Sequence, residues 1–318
     1  MKAVAVNQFK SNPAVMDLPV PPLKAGTIRI RLAAAGLNPF DWKLADGILE
    51  NQMPHVFPMI LGTDGAGVVE SVGAGADRFK VGDRVYGQMI HPPIGEGSYA
   101  EMVTVPDSAA IAAAPKSIAL SDAAALPTAG MTALQLLDRS GLAEGQKLLL
   151  VGATGGVGSF LTQIARARGI YVIATASNEE SAARIKQLGA TETINYKTAP
   201  VEEQFPGGAD ALIDLVSDKV NFEKMLPLVK KGGHVHTTQF VADKDRIHAL
   251  GLRGGNFETQ GTPASLDALR ELIDSGGLTV PVERRIPLDQ APQAIADSRA
   301  AKSKGKTILL IDTSLDQV

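Results

Sequence analysis

Short stretches of alternating apolar and polar residues mark the first third of the chain. Thr27–Leu32 and Gly67–Val72 alternate with a period of two, which is the pattern of strands with one buried face. Glycine and proline recur between such stretches, and Gly82-Asp83 separates two apolar pairs in the manner of a tight turn. Residues 1–121 are therefore predicted to form a compact, mainly β domain.

A different pattern begins at Ser121. Ser121-Asp122 opens an alanine-rich segment as a helix cap would, and Lys147–Val151 is a continuous apolar run, as expected for a strand buried on both faces of a parallel sheet. Segments of the two kinds then alternate: helices are predicted at about 156–168, 179–188 and 221–229, and strands at about 170–175, 211–216 and 235–239. This alternation predicts a parallel sheet with helices on both faces.

The pattern changes again after about Pro263. We predict a helix through Ile273, a short strand, another helix at about 289–299 and a closing strand at about 307–311. This segment is expected to rejoin the first domain. The prediction is thus a catalytic domain of residues 1–121 and 263–318, with a nucleotide-binding domain of residues 122–262 inserted between the two parts.

Composition narrows the possible functions. A chain of 318 residues with 45% hydrophobic and 20% charged residues can bury the cores of two domains. Its net charge of -3, with both signs scattered, provides no basic stripe for nucleic acid, so no nucleic-acid partner is expected. The absence of cysteine excludes disulfides, thiolate metal sites and a catalytic thiol. Redox chemistry would therefore require a bound cofactor.

The apolar residues at the N-terminus are interrupted by polar ones, so that this segment is too short to form the apolar stretch of a signal peptide. The sequence also contains no run of about 18 apolar residues that would span a membrane. A cytoplasmic protein without a membrane partner is the expectation.

The strongest chemical signal is a glycine-rich turn that follows the buried strand and opens the next helix. Its residues are Gly152, Ala153, Thr154, Gly155, Gly156, Val157 and Gly158. This is the context of the dinucleotide-binding fingerprint, with alanine in place of the first glycine. Small residues let the backbone approach a pyrophosphate, and the helix amides receive its charge. The alternative is an ordinary strand-to-helix turn in which the glycines are needed only for the backbone conformation and bind no ligand.

The end of the second strand bears on the choice of cofactor. NAD-specific proteins place an acid there, about 20 residues past the turn, whereas this chain has Ala176. Without that carboxylate a 2′-phosphate can be accommodated, and Ser177 and Asn178 are candidate donors to it. These two residues are equally suited to cap the following helix. No lysine or arginine occupies the strand end itself, yet the pattern favours NADPH over NADH.

Several segments together resemble the medium-chain dehydrogenase/reductase superfamily, in its zinc-independent quinone oxidoreductase branch. They are Gly36–Lys43, Leu61–Val69, Val81–Gly87, Pro127–Ala133 and the glycine-rich turn. The resemblance covers essentially the whole chain. It implies an α/β fold in which a Rossmann doubly wound parallel sheet is inserted into a mainly β, GroES-like catalytic domain.

The superfamily's alcohol dehydrogenases hold a catalytic zinc, and the matching positions here are Asn38, Thr63 and the region of Leu126-Pro127. None of these is a normal zinc ligand, so no metal is expected. Without a metal to polarise an isolated carbonyl, the acceptor must stabilise the added charge by its own conjugation. Quinones and α,β-unsaturated ketones meet that requirement.

Four residues are candidates for the catalytic chemistry. All four are candidate hydrogen-bond donors to the acceptor oxygen: Asn38, Asp41, Lys43 and Tyr86. Our hypothesis is that Asn38 and Tyr86 line the acceptor pocket and that Lys43 or a water supplies the proton. Each has a structural alternative: Asp41 caps a helix, Lys43 lies at the surface, and Tyr86 packs in the core.

The resemblance also implies positions that contact the cofactor. Thr128 and Thr132 match positions near the nicotinamide and the catalytic cleft, with an ordinary role at a helix start as the alternative. Tyr196 matches a tyrosine that contacts the 2′-phosphate in NADPH-using relatives, and its alternative is packing at the end of a strand. Val216 and Ser217 end a central strand, where a parallel sheet presents its ligand, and are expected near the adenosine ribose.

Three functions are consistent with these signals. The first is an NADPH:quinone reductase, the second an alkenal or enone reductase that saturates a carbon–carbon double bond, and the third an NADPH-binding structural or regulatory protein without significant turnover. The resemblance also implies a symmetric dimer, paired through Val235–Gln239 and Leu250–Arg253.

Overall fold

The computed structural model describes residues 1–302 and 305–317, which divide into two compact units. The first unit contains residues 1–129, 261–276 and the described chain from 280 onward. The second unit contains residues 130–260 and 277–279. Residues 122–129, which the sequence placed in the nucleotide-binding domain, lie in the first unit.

The first unit is built mainly from antiparallel strands. Its strands are β1 (Lys2–Val6), β2 (Ala14–Asp17), β3 (Thr27–Leu37), β4 (Met59–Ile60), β5 (Asp64–Val72), β6 (Arg84–Gln88), β7 (Met102–Pro106), β8 (Ile111–Ala113), β15 (Val282–Pro287) and β16 (Lys306–Leu310). Its helices are α1 (Pro39–Ala45), α2 (Leu120–Ala123), α9 (Pro263–Asp274) and α10 (Ala291–Arg299). The larger sheet has the order β15-β16-β3-β5-β6-β8, with β7 also paired to β3, and the smaller one has the order β2-β1-β4.

Strand β3 shows how the sequence pattern becomes a core. Its first residues alternate between buried and partly exposed positions, as predicted, but its last six residues are all buried. The second half therefore lies between two packed layers, and its small side chains, Ala33-Ala34-Ala35-Gly36, leave room for both. Antiparallel pairing with β16 and β5 brings the C-terminal end of β3 beside the first residues of those two strands.

The second unit is a parallel sheet with helices. Its strands are β9 (Lys147–Val151), β10 (Tyr171–Ala176), β11 (Glu192–Asn195), β12 (Ala209–Asp214), β13 (Val229–Thr237) and β14 (Arg253–Asn256). Its helices are α4 (Gly156–Ala167), α5 (Glu179–Leu188), α6 (Val201–Gln204), α7 (Lys219–Met225) and α8 (Lys244–Ala249), and the unit boundary falls within α3 (Pro127–Ser140). The order β11-β10-β9-β12-β13-β14, with every pair parallel, is that of a Rossmann sheet. The predicted fold class is confirmed.

The structure corrects several predicted elements. Strand β13 begins at Val229, not Val235, and takes the end of the predicted helix 221–229. Strands β11 and β14 and helix α8 were not predicted. Both missed strands are at the edges of the sheet and contain Glu192 and Gly254-Gly255, so they lack the continuous apolar run of a central strand. No helix in the described part of the chain has the length and apolar character needed to cross a bilayer.

Candidate functional site

The glycine-rich turn joins strand β9 to helix α4 in the second unit. Gly155 is the N-cap of α4, with extended backbone angles and no capping side chain. The amides at the start of a helix have no partner within the helix, and their dipoles favour an anion. With no side chain in the way, this helix start is suited to receive a phosphate group.

Two glycines of the turn have different steric roles. A Cβ on Gly158 would lie 2.4 Å from the Gly152 carbonyl oxygen and 2.6 Å from the Ala153 Cα, so the fold itself requires glycine there. A Cβ on Gly155 would meet only the Gly152 oxygen, at 3.4 Å, which is ordinary contact. The packing of the protein does not require a glycine at position 155, and the space above it is open to a ligand. The turn thus fits a dinucleotide pyrophosphate.

The segment after β12 forms the other side of the turn. The strand ends at Asp214, two residues before the predicted end, and the Asp214 Oδ1 accepts hydrogen bonds from the amides of Val216 and Ser217, both at 2.9 Å. These amides hold the backbone turn, and the expected position of Val216 and Ser217 near the adenosine ribose stays a prediction. The side chain of Val216 is 61% exposed and lies against Gly152, where a Cβ would be 2.9 Å from its Cγ1.

At the end of β10, Asn178 has a structural role. Its side chain accepts a hydrogen bond from the amide of Ser181 at 2.8 Å and caps α5. Ser177 is partly exposed, and its amide lies 3.2 Å from the Ser181 hydroxyl oxygen. Strand β11 pairs with β10, so that Tyr196 follows directly beside Ala176, with the Tyr196 amide donating to the Ala176 carbonyl at 3.2 Å. The structure therefore brings Ser177 and Tyr196 to one edge of the sheet.

The two threonines predicted near the nicotinamide fall in different units. Thr132 lies on α3 in the second unit, buried, with its hydroxyl 2.5 Å from that of Thr259. Thr128 belongs to the first unit, where its hydroxyl and its amide both donate to the Asp64 carboxylate, at 2.6 and 3.0 Å. The side chain of Thr128 thus holds a buried carboxylate, and its predicted contact with the cofactor stays a prediction.

The first unit contains a group of hydrogen-bonded polar residues, all buried except the half-buried Thr128, that we call the polar cluster. Its members are Asn38, Asp41, Thr63, Asp64, Tyr99, Thr128 and Lys306. They come from α1, the start of α3, β5, β16 and the connecting segments, which meet at the C-terminal end of β3.

Asp41 is the most heavily bonded acceptor of the polar cluster. One of its oxygens accepts from the amide of Asn38 and the hydroxyl of Tyr99, at 2.8 and 2.7 Å. The other accepts from the amide and the hydroxyl of Thr63, at 2.9 and 2.8 Å. Asp41 therefore caps α1 and ties it to the residues before β5. These bonds favour the capping alternative over the hypothesis that Asp41 acts on an acceptor.

Asn38 is held by both ends of its side-chain amide. Its Nδ2 donates to Asp64 at 2.9 Å, and its Oδ1 accepts from the Nζ of Lys306 at 2.8 Å. Lys306 also donates to the carbonyl of Leu37, at 3.2 Å. Only 4% of Asn38 is exposed. The residue bridges a buried carboxylate and a buried ammonium, which is a structural role that the sequence did not predict.

Burial controls the ionisation of the polar cluster. Loss of water raises the pKa of Asp41 to about 6, against the opposing effect of its hydrogen bonds from Tyr99, Asn38 and Thr63. Burial also raises the pKa of Asp64 and lowers that of Lys306, and the opposite charge of each partner works against both shifts.

The other two predicted catalytic residues lie outside the polar cluster. Tyr86 is fully buried, and its hydroxyl donates to the carbonyl of Leu266 at 2.6 Å. This burial favours the alternative that Tyr86 packs in the core over the hypothesis that it lines an acceptor pocket. Lys43 is half-buried on α1, with its Nζ 5.7 Å from the centre of the Trp42 ring.

Sequence reasoning missed Lys306, Asp64 and Tyr99. A signal was present, because Asp64 is the single charge of the small and apolar stretch Asp64–Val69 within β5, and Lys306 is the single charge of β16. Such charges are expected to be paired when buried. Nothing local indicates that the two strands meet on either side of β3.

His234 and His236 are not placed to bind a metal ion together. Their ring centres are 6.1 Å apart, and burial lowers the pKa of His236 to about 4. Across residues 1–302 and 305–317, no three histidine or acidic side chains come close enough together to hold a metal ion.

Comparison with known proteins places this chain in a family. A family model described as "Alcohol dehydrogenase GroES-like domain" matches residues 24–116, and one described as "Zinc-binding dehydrogenase" matches residues 156–275. The chain is 35% identical to the chloroplast envelope quinone oxidoreductase homolog of Arabidopsis thaliana, over 97% of this chain and 98% of that protein. It belongs to the quinone oxidoreductase branch of the medium-chain dehydrogenase/reductase superfamily. The predicted family is confirmed, and the chain is an oxidoreductase of that class.

Two further relatives extend the comparison. The 2-methylene-furan-3-one reductase of Solanum lycopersicum is 31% identical, over 96% of this chain and 76% of that protein. A mycobacterial protein solved in complex with NADPH superimposes with a TM-score of 0.83, at 28% identity, over 98% of this chain and 99% of that one. The expectation of NADPH as cofactor agrees with this neighbour. Because one relative is a chloroplast protein, the expected cytoplasmic location stays a prediction.

Proposed function

We propose that this chain transfers hydride from NADPH to a quinone without a catalytic zinc. The observation that carries the proposal is the start of α4, where the space above Gly155 is open and the N-cap has no side chain of its own. The end of β10, where Ala176 replaces the acid that recognises NAD, supports the choice of the phosphorylated cofactor.

The residues of the second unit bind and orient the cofactor. The amides that open α4 receive the pyrophosphate, and Gly158 keeps the helix close to β9 so that those amides stay in position. When bound, the nicotinamide supplies the hydride. The mycobacterial protein in complex with NADPH supports NADPH as the hydride donor. The quinone oxidoreductase homolog of Arabidopsis thaliana supports a quinone as the acceptor.

The donor chemistry of the polar cluster supports a zinc-free reaction. Asn38 and Thr63, at the positions that match zinc ligands, offer an amide and a hydroxyl in a chain without cysteine. The Asn38 oxygen already accepts from the Lys306 ammonium at 2.8 Å, and a second cation there would be repelled. An acceptor with its own conjugation, such as a quinone, then needs no metal.

The proton that follows the hydride comes from Lys43 or from water. Lys43 is the one of the four predicted catalytic residues whose polar group is neither tied into the polar cluster nor bonded in the core. Lys43→Met should lower kcat, whereas Tyr86→Phe should leave kcat/KM unchanged because the Tyr86 hydroxyl bonds only to Leu266 in the described structure. Stopped-flow measurement of both variants tests this assignment, and equal kcat values for Lys43→Met and the unmodified protein would assign the proton to water.

A second candidate function is the reduction of an enone double bond, which the tomato reductase favours. Oxidation of NADPH, followed at its absorbance band with matched panels of quinones and enones, distinguishes the two. We expect quinones to be reduced to hydroquinones and chelators to leave the rate unchanged. Formation of saturated ketones alone would favour the second function. NADPH binding without turnover of either panel, or stoichiometric zinc in the purified protein by mass spectrometry, would overturn the proposal.

A further inference from the structure

The segment that follows strand β11 places a lysine at the acid-free end of β10. Ala176 pairs with Asn195 in the parallel register, and the Tyr196 amide donates to the Ala176 carbonyl. Lys197 is the next residue, and its own amide donates to the Asn195 side chain at 3.0 Å. The sequence alone showed no cation at this strand end, because Lys197 is distant in sequence and arrives on a strand that was not predicted.

The side chain of Lys197 is held beside the ring of Tyr196. Its Nζ lies 5.4 Å from the centre of the ring, within the range of a cation–π interaction. Tyr196 is 46% exposed. The ammonium and the phenol therefore lie together at the surface, next to the end of β10, where an NAD-specific protein would have a carboxylate.

Among the described residues, the charges around this position leave Lys197 without a counterion. Within the part of the chain that the structure describes, no carboxylate forms an ion pair with its Nζ. Asn178 is committed to capping α5, and Glu179 and Glu180 add negative charge to the first turn of that helix. Ser177 and Asn178 alone would therefore offer an anion no net positive charge.

We propose that Lys197 determines the specificity of this chain for NADPH by forming an ion pair with the 2′-phosphate of the adenosine ribose. The proposal rests on the proposed binding of NADPH and adds the residue that distinguishes it from NADH. Tyr196 positions the ammonium, Ser177 contributes a hydroxyl donor, and the missing carboxylate at Ala176 removes the group that would repel the phosphate. NADH lacks this phosphate and gains nothing from Lys197.

The test compares nucleotide affinities in the full-length protein. Lys197→Ala should weaken NADPH binding by about tenfold, the effect of one lost charge-assisted contact, and Lys197→Glu by on the order of 100-fold. NADH binding should stay unchanged in both variants. The same ranking should hold for 2′,5′-ADP against 5′-AMP, since these fragments differ only in the 2′-phosphate. Calorimetry gives the dissociation constants without any acceptor present.

Two further variants serve as controls. Lys186→Ala removes an equally exposed lysine from the last turn of α5 and should leave all four affinities unchanged. Lys197→Arg should restore most of the preference for NADPH. Added salt should weaken NADPH binding less in Lys197→Ala than in the unmodified protein, because one ionic contact is missing.

The outcomes separate this proposal from the one on which it rests. If Lys197→Ala weakens NADPH and NADH equally, or leaves their ratio unchanged, Lys197 does not recognise the phosphate, although NADPH binding itself still stands. If the unmodified protein binds neither dinucleotide, both proposals fail.

Discussion

At the scale of single residues, the polar cluster shows how burial changes the meaning of a sequence motif. Asp41 lies in a segment that resembles a catalytic motif, yet its carboxylate accepts hydrogen bonds from Asn38, Thr63 and Tyr99 and has no proton to donate once ionised. Breaking such a network leaves buried donors without acceptors, which is more costly than losing an exposed contact. Asp41 is therefore a residue whose substitution should affect stability first.

The pH dependence of stability follows from the pKa of Asp41. Its folded-state value of about 6 lies above its ordinary 3.8. The folded protein thus binds this proton more tightly, and the contribution of Asp41 to the free energy of unfolding falls as pH rises from about 4 to 6. Asp41→Asn does not titrate, so the stability that it loses relative to the unmodified protein should be greatest near pH 4. The loss should shrink by up to about 3 kcal/mol by pH 7.

Urea unfolding followed by the fluorescence of Trp42 measures this effect. Trp42 is the only tryptophan and lies on α1 beside Asp41, so it reports the unfolding of the first unit. Tyr99→Phe is the matched control. It removes one donor, keeps the titratable carboxyl, and should retain the pH slope. A loss in Asp41→Asn that stays constant from pH 4 to 7 would mean that folding does not shift the pKa of Asp41.

At the scale of elements, the turn between β9 and α4 contains one glycine that the fold requires and one that only a ligand would require. Gly158 is required by the close approach of α4 to the turn, whereas Gly155 contacts no protein atom that a methyl group would displace. The dinucleotide fingerprint in the sequence therefore combines a structural glycine and a functional one. Only the tertiary structure distinguishes the two glycines, because it shows which atoms surround each of them.

A pair of matched substitutions tests this distinction. Gly158→Ala should destabilise the protein by about 2 kcal/mol, because its Cβ would overlap backbone atoms. Gly155→Ala should leave the unfolding transition unchanged and weaken NADPH binding by about tenfold. Thermal unfolding by circular dichroism and nucleotide titration measure the two effects. Unimpaired NADPH binding by Gly155→Ala would place the pyrophosphate elsewhere.

At the scale of the whole molecule, the edge of the six-stranded sheet bears on assembly. Strand β14 is the last in the order, and among the described strands only β13 pairs with it. An unpaired edge presents amides and carbonyls to a second chain. The predicted symmetric dimer, which the sequence placed at Val235–Gln239 and Leu250–Arg253, would use this edge.

Sedimentation velocity tests the dimer. We expect a single species with twice the mass of the chain at micromolar concentrations, and a shift toward monomer only on strong dilution. Sedimentation as a monomer across the whole concentration range would contradict the prediction.

The sequence by itself determined those features that are written in local patterns. Continuous apolar runs such as Lys147–Val151 predicted the central strands, and the glycine-rich turn predicted the nucleotide-binding fold, because turn geometry and side-chain periodicity depend on neighbouring residues. The short edge strands β11 and β14 escaped prediction because they are polar and partly exposed. Pairing with a neighbouring strand, which no local pattern encodes, makes them strands.

Only the tertiary structure decided which residues meet. Asp64 and Lys306 lie far apart in the chain and become partners of Asn38 because β5 and β16 flank the same strand. Lys197 reaches the end of β10 for the same reason, through the pairing of β11. Such contacts follow from the strand order of a sheet, which depends on the packing of the whole unit and not on the residues near each position.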